Sequence, residues 1–350
     1  LMATTVVNPF LQFGGAGGAG GWVELGRTTL GSAGTDIDVT SLADKRYYQF
    51  LVDIKGTAAG IDIDMRMGNS TIDTGSNYAY RRALDGTEYT TTSTSALRLS
   101  QNAGTDNSVF VNGYIANRSA QEKLLISHSN VIAASGAGAA PNRTELAGKW
   151  TNTSNPLDVL SVFHASVNYD SGSELVVLGW DPTDTHTTNF WEPLASVDAA
   201  GGSATLSSGT FTAKKYLWGQ IYSDQNRTGN SNYELNFNND TGSNYSSREN
   251  YDGSGEGTRT AIRRLYIGGE IAHQHLQTLT NFFIINNSAN EKLYIQQSIS
   301  VDTTGAGTAP HREEVVGKWA NTSSQITELD FLWSAGTHND TSKLRIWGSD

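Results

Sequence analysis

Short bursts in which apolar side chains alternate with polar ones run along the whole chain, and none is longer than a strand. In the first half they cover Tyr47 to Ile54, Val109 to Ile115, Leu124 to Ile126, Val159 to Phe163 and Leu175 to Leu178. In the second they cover Tyr216 to Tyr222, Leu265 to Ile271, Phe282 to Ile285, Leu293 to Ile295, Leu329 to Trp333 and Leu344 to Trp347. Each burst is bounded by Gly, Asn, Asp or Ser, and period two outweighs period 3.6, so strands are expected and no long amphipathic helix. Several short antiparallel strands in each half predict an all-β protein built of sandwiches of jelly-roll type.

The halves are copies. Gly148-Lys149-Trp150-Thr151-Asn152-Thr153-Ser154 returns as Gly317-Lys318-Trp319-Ala320-Asn321-Thr322-Ser323, an offset of 169 from Lys149 to Lys318. The same offset carries Gln121-Glu122-Lys123-Leu124 onto Asn290-Glu291-Lys292-Leu293 and Gly136-Ala137-Gly138 onto Gly305-Ala306-Gly307. Between these blocks Thr74-Gly75-Ser76-Asn77-Tyr78, with Arg81 and Asp85-Gly86, recurs as Thr241-Gly242-Ser243-Asn244-Tyr245, with Arg248 and Asp252-Gly253, at an offset of 167. A gap that opens and closes again marks a loop-length difference between equivalent domains. The expected organisation is two tandem antiparallel β-sandwiches, 22–181 and 191–350, joined by a short polar linker at 182–190. Residues 1–21, an apolar segment followed by a Gly-rich tether, belong to neither copy and are expected to form an extended N-terminal arm.

Composition narrows the function classes. Only 17% of residues are charged and 37 are Gly, as where short strands meet many polar turns. The net charge of -11, with the basic residues scattered, lacks the footprint of a nucleic-acid binder. There is no cysteine, so disulfides and thiolate metal sites are ruled out. No apolar run reaches the roughly 18 residues that span a bilayer, and the start lacks the basic and apolar regions of a cleaved signal. Membrane insertion and signal-directed secretion are therefore not expected.

The run Leu235-Asn236-Phe237-Asn238-Asn239-Asp240-Thr241-Gly242-Ser243-Asn244-Tyr245, with closing strands such as Glu174 to Gly179 and Lys343 to Gly348, resembles a domain widespread in tailed-phage structural proteins. That family shows a strand entering an N-x-D-T-G-x-N-Y turn and a closing G-S-x-L-x-L-Y-G strand. The second copy follows it well, with Trp347 where the pattern usually has Tyr; the first departs further, with Gly68-Asn69-Ser70-Thr71-Ile72-Asp73 before its turn. The resemblance implies a non-enzymatic structural protein of a virion surface, in a tail, tail fibre or adhesion component. It would be made in the host cytoplasm, be homo-oligomeric with a trimer favoured, and contact other virion proteins, with residues 1–21 a candidate contact. Two other readings are a head decoration protein anchored by its arm and a carbohydrate-binding module that contacts host-surface glycan.

Candidate chemistry is sparse. The turn residues Asn77, Tyr78, Arg81, Asn244, Tyr245 and Arg248 suit a sugar clamp, but turn chemistry alone explains most of them and the structural role is favoured. Copy-specific aromatics, Trp180 and Trp333, with Tyr78 and Tyr245, are the first places to seek a glycan contact, because aromatic faces stack on sugars. Trp22, Trp150, Trp191 and Trp319 recur in both copies and are read as core. His273 and His275 would share one strand face, the minimum for a metal, but no third ligand is indicated, and no metal or cofactor is expected. Glu145 and Glu314 recur beside Arg143 and Arg312, which ion pairing explains without catalysis, and no catalytic residues are assigned.

Overall fold

A computed structural model describes residues 21–58, 60–101, 108–184, 188–226, 231–253, 256–268, 277–301 and 303–350. Residues 1–20 of the expected arm at 1–21, part of the linker, and His273 and His275 lie outside these described residues. The first repeat contains β1 (Val23–Thr29), β2 (Asp36–Val39), β3 (Tyr47–Lys55), β4 (Ile63–Asn69), β5 (Thr71–Ile72), β6 (Tyr78–Leu84), β7 (Thr87–Thr94), β8 (Leu97–Ser100), β9 (Ser108–Ala116), β10 (Lys123–Val131), β11 (Asn142–Trp150), β12 (Val159–Phe163) and β13 (Glu174–Trp180). The second contains β14 (Glu192–Asp198), β15 (Thr205–Ser207), β16 (Tyr216–Asp224), β17 (Tyr233–Phe237), β18 (Tyr245–Tyr251), β19 (Glu256–Ile262), β20 (Leu265–Gly268), β21 (Gln277–Ile285), β22 (Lys292–Val301), β23 (His311–Trp319), β24 (Leu329–Trp333) and β25 (Lys343–Ser349).

The protein is all-β, two antiparallel sandwiches in tandem. In the first, an eight-stranded sheet ordered β1-β13-β3-β9-β10-β11-β6-β7 packs on a five-stranded sheet ordered β2-β12-β4-β5, with β8 also paired to β4. In the second, the order β14-β25-β16-β21-β22-β23-β18-β19 faces a four-stranded sheet, β15-β24-β17-β20. The chain passes between sheets as it goes, so the closing strands slot between the opening ones: β12 between β2 and β4, β13 between β1 and β3. This wrapping is that of a jelly roll.

Each sandwich has its own core. Tyr48, Phe50, Val52 and Ile54 of β3 point inward with Val109, Val111 and Ile115 of β9 onto Met65, Met67, Leu160 and Val162 of the smaller sheet. Phe282, Ile284, Tyr294, Leu344 and Ile346 do the same over Leu235, Phe237, Leu329 and Phe331. Alternation should leave the other face of β3 and β13 to water, yet Leu51, Val176 and Leu178 are also fully buried. That is why β13 reads Leu175-Val176-Val177-Leu178 without a polar break: a strand covered on both faces loses the period-two signature.

The duplicated motifs converge on one buried residue in each repeat. The indole of Trp150 donates to the Asp73 carboxylate (2.8 Å), which also accepts from the backbone N–H of Gly75 (2.8 Å) and from the side-chain amide of Asn77 (2.9 Å). Lys123 lies 5.6 Å over the Trp150 ring and donates to the carbonyl of Asn152 (2.9 Å). In the second repeat Trp319 donates to Asp240 (2.7 Å), which accepts from Gly242 and Asn244, while Lys292 lies 5.8 Å over the ring and donates to Asn321. Tyr78 and Tyr245 close the turns, their hydroxyls donating to the carbonyls of Asp73 (2.9 Å) and Asp240 (3.1 Å).

Burial pushes the Asp73 and Asp240 carboxyls up, but the bonds from Trp, Asn and the Gly N–H outweigh it and hold both below the ordinary carboxylate range. Their contribution is therefore complete above that range and is lost as pH falls through the depressed folded values. Asp73→Ala and Asp240→Ala each strand a buried indole N–H, and each is expected to cost about 1–3 kcal/mol. Urea unfolding at neutral pH should show the loss, and the same series at acid pH should show it shrinking; a wild-type midpoint in both variants would remove the turns from the stability account.

Candidate functional site

The outer faces of the two eight-stranded sheets are turned on each other and enclose a third core. Leu51, Phe110, Ile132, Val176 and Leu178 of the first repeat share one buried cluster with Tyr216, Trp218, Phe283, Ile285, Leu293, Ile295, Val316 and Trp347 of the second. Trp22, Phe190 and Trp191 complete it. Phe190 meets Trp191 edge-on at 4.9 Å, and Trp218 stacks on Trp347 at 4.5 Å, within the range where aromatic pairs gain beyond their area. Trp22 and Trp191 are thus core residues of the junction between repeats, not of either sandwich.

Polar bonds fix the register of this junction. Tyr216 Oη donates to Glu174 (2.8 Å), and Lys215 Nζ lies 3.0 Å from Glu174 and 3.2 Å from Asp53. Trp191 Nε1 donates to Gln49 (3.1 Å). Asn130 Nδ2 donates to the carbonyls of Tyr294 (2.8 Å) and Gly317 (2.7 Å). The β10–β11 loop beyond it is held by side chains of the second repeat: Lys318 donates to the carbonyl of Ala134, Glu291 accepts from the N–H of Gly136, and Arg248 donates to the carbonyl of Pro141 (2.8 Å). Lys318 and Glu291 pair at 3.1 Å, both buried.

The opposite end of the same two sheets stands open. A cavity of about 740 Å³ lies between Trp22, Tyr47, Tyr114, Leu124, Ile126 and Trp180 of the first repeat and Gln220 and Asn281 of the second. Past Tyr114 and Ile126 it runs into a charged cleft of about 580 Å³ lined by Arg81, His128, Arg143, Glu145, Gln297, Arg312 and Glu314, among others. The mixture of an apolar shelf, two amides and a charged end is that of a binding groove, with orientation supplied by few polar groups.

In the charged end Arg143 pairs with Glu145 and Glu256 and lies 3.6 Å from Glu314. His128 Nε2 is 2.7 Å from Glu145, and Arg312 Nε is 3.0 Å from Glu314. Burial raises Glu145, but the His128 hydrogen bond and the charges of His128, Arg143 and Arg312 bring it below the ordinary value. Burial also raises Glu314, and there Arg312 and Arg143 do not fully offset it, because the charge of Glu145 works against them. Two equivalent glutamates are thus driven apart by one asymmetric network.

Among the residues singled out in the sequence, Trp180 lines the cavity and stacks on Tyr47 at 5.6 Å. Tyr78, Tyr245 and Trp333 are buried; Trp333 stacks on Tyr233 at 4.3 Å and donates to Ser223 (3.0 Å). Asn77 and Asn244 tie down their own turns. Arg81 is exposed on the cleft wall, whereas its equivalent Arg248 is spent on the junction. Among the described residues no group of three metal-binding side chains occurs. Leu124, Ile126, Tyr114, Gln220 and Asn281 were not singled out; the available signal was that Leu124 and Ile126 lie on the strand face opposite the core residue Leu125.

Carboxyl-carbon NMR across the acid range is expected to show Glu145 titrating below the ordinary glutamate value and Glu314 above it. The reverse order would contradict the network described.

No family model matches the chain, and no curated protein matches it. Among solved structures, domains LG4-5 of the mouse laminin alpha1 chain align over 96% of this chain and 92% of theirs, at 11% identity and a TM-score of 0.21. The flagellar hook junction protein of Burkholderia pseudomallei aligns over 88% of this chain and 42% of its own, at 8% identity and a TM-score of 0.12.

Proposed function

We propose that this chain is a non-enzymatic structural protein of a tailed-phage virion surface, acting by packing and adhesion. One observation supports the structural part above all: the duplicated polar motifs are spent on the chain itself. The Asp73 and Asp240 turns, the Lys123 and Lys292 ammonium groups and the Asn152 and Asn321 loops all serve the two buried Trp hubs. Glu291, Lys318 and Arg248 hold one repeat to the other. A polar constellation kept twice for chemistry would instead point both copies at a shared substrate. The virion assignment is supported by the turn and closing-strand resemblance in residues 235–245 and 343–348.

Tail, fibre and head surface are all compatible with such a scaffold. Immunogold labelling of purified particles with antibody against the chain is expected to mark a fixed position on every particle. Absence of both label and peptide from purified particles would overturn the assignment.

A further inference from the structure

The two repeats carry the same docking residues, but only one set is in use. In the second repeat Glu291, Lys318 and Arg248 hold the 134–141 loop of the first, and beside them Leu293 and Ile295 share a buried cluster with Ile132, at the loop's start; together they form a seat. Their equivalents in the first repeat are Glu122, Leu124, Ile126, Lys149 and Arg81, identical at every position. Leu293 and Ile295 are each 2% exposed, whereas Leu124 and Ile126 are 56% and 60% exposed, the latter pair being large apolar side chains left to water. The ion pair is likewise repeated: Lys318 and Glu291 are buried, while Lys149 and Glu122 pair at 2.9 Å on the surface, 42% and 39% exposed.

The complementary element is repeated too. The 134–141 loop is gripped through its backbone, at the carbonyls of Ala134, Ala139 and Pro141 and the N–H of Gly136. Its equivalent, 303–310, keeps Gly-Ala-Gly and Pro, and Gly305 has the same left-handed backbone as Gly136 (φ 95° and 80°). A grip on backbone atoms needs only that conformation, and residues 303–310 are exposed throughout. Beside them Leu279 and Ile299, paired across β21 and β22, are 49% and 46% exposed, where the first repeat has the buried Phe110 and Asn130. Leu124, Ile126, Leu279 and Ile299 are thus four of the six large apolar side chains that the described residues expose, and all belong to the unused seat or stand beside the unused loop.

We infer that the Leu124–Ile126 seat receives the 303–310 loop of a second copy of this chain, so that chains join by the contact that already joins the two repeats. The chain's own loop does not fill its own seat, because the far end of the same two sheets is clamped by Asn130, Lys318 and Glu291, and Trp22 and Trp191 stand between the sheets. Closing one end opens the other, so each chain keeps one seat and one loop to spare. Such a contact is heterologous and propagates into a ring or an open array. Several positions depart from the intrachain contact: Ile299 stands for the Asn130 amide, Leu279 for Phe110, Val301 for Ile132, Ala147 for Val316, and Ala79 for Ser246, which bonds Ala139. The contact between chains therefore loses the Asn130 and Ser246 hydrogen bonds and keeps the ion pair and the backbone grip.

The inference does not depend on where the protein resides. Sedimentation velocity of the full chain, from low to high micromolar, is expected to give masses above one chain. The double variant Leu124→Asp/Ile126→Asp removes the seat and Leu279→Asp/Ile299→Asp disables the loop side. All four side chains are exposed, so both variants are expected to keep the wild-type circular dichroism and to sediment as single chains. Mixed together, they retain one good seat and one good loop, and the mixture is expected to stop at two chains. A single-chain mass for the wild type at every concentration would overturn the inference, whether the cleft closes on itself or takes a glycan instead. So would an oligomer that survives both double variants, or a mixture that stays single.

Discussion

Leu51, Phe110, Val176 and Leu178 on one eight-stranded sheet, and Tyr216, Trp218, Phe283 and Trp347 on the other, lose their water to each other. Among the described residues, sixteen are buried in this cluster. Fully burying one large apolar side chain is worth about 1.5–3 kcal/mol, so exposing even four or five of them would cost about as much as the 5–15 kcal/mol that stabilises a typical domain. A short linker alone would let two sandwiches rock. The shared core makes their separation comparable in cost to unfolding one of them.

The two large sheets have the same strand order, but their outward positions differ. Gln49, Tyr114 and Leu178 of the first repeat answer to Trp218, Phe283 and Trp347 of the second. Trp218, Phe283 and Trp347 all lie in the junction core; of their counterparts Leu178 is buried there too, Gln49 is buried and bonds Trp191, and Tyr114 lines the cavity. The inward positions did not diverge in this way: Asp73 with Trp150 and Lys123, and Asp240 with Trp319 and Lys292, keep the same bonds. The hub must satisfy a buried indole and a buried ammonium, and leaving either unpaired is costly; what an outer position needs depends on what covers it.

Much of the fold was legible in the sequence. Strand class followed from short bursts and turn residues, and the repeat register followed from the Gly-Lys-Trp and Gly-Ala-Gly blocks. Strands β1, β2, β4, β5, β6, β7, β8, β11, β14, β15, β18, β19 and β23 escaped detection; β7 and β19 did so because they are edge strands of the large sheets, rich in Thr, Glu and Arg and with few buried side chains. The site was much less legible. Trp180 was found because it is private to one copy, but Tyr78, Tyr245 and Trp333 look the same in sequence as exposed aromatics and are interior. Leu124 and Leu293 cannot be told apart by any local pattern; one is exposed and the other buried only because of how the repeats meet.

The claim that the repeats are one body can be put to scanning calorimetry of the intact chain. Two sandwiches sharing a core of this size are predicted to melt in a single transition whose calorimetric and van't Hoff enthalpies agree, as for a cooperative unit. Two separable transitions, each with the enthalpy of one sandwich, would contradict the shared core and with it the account of the cleft.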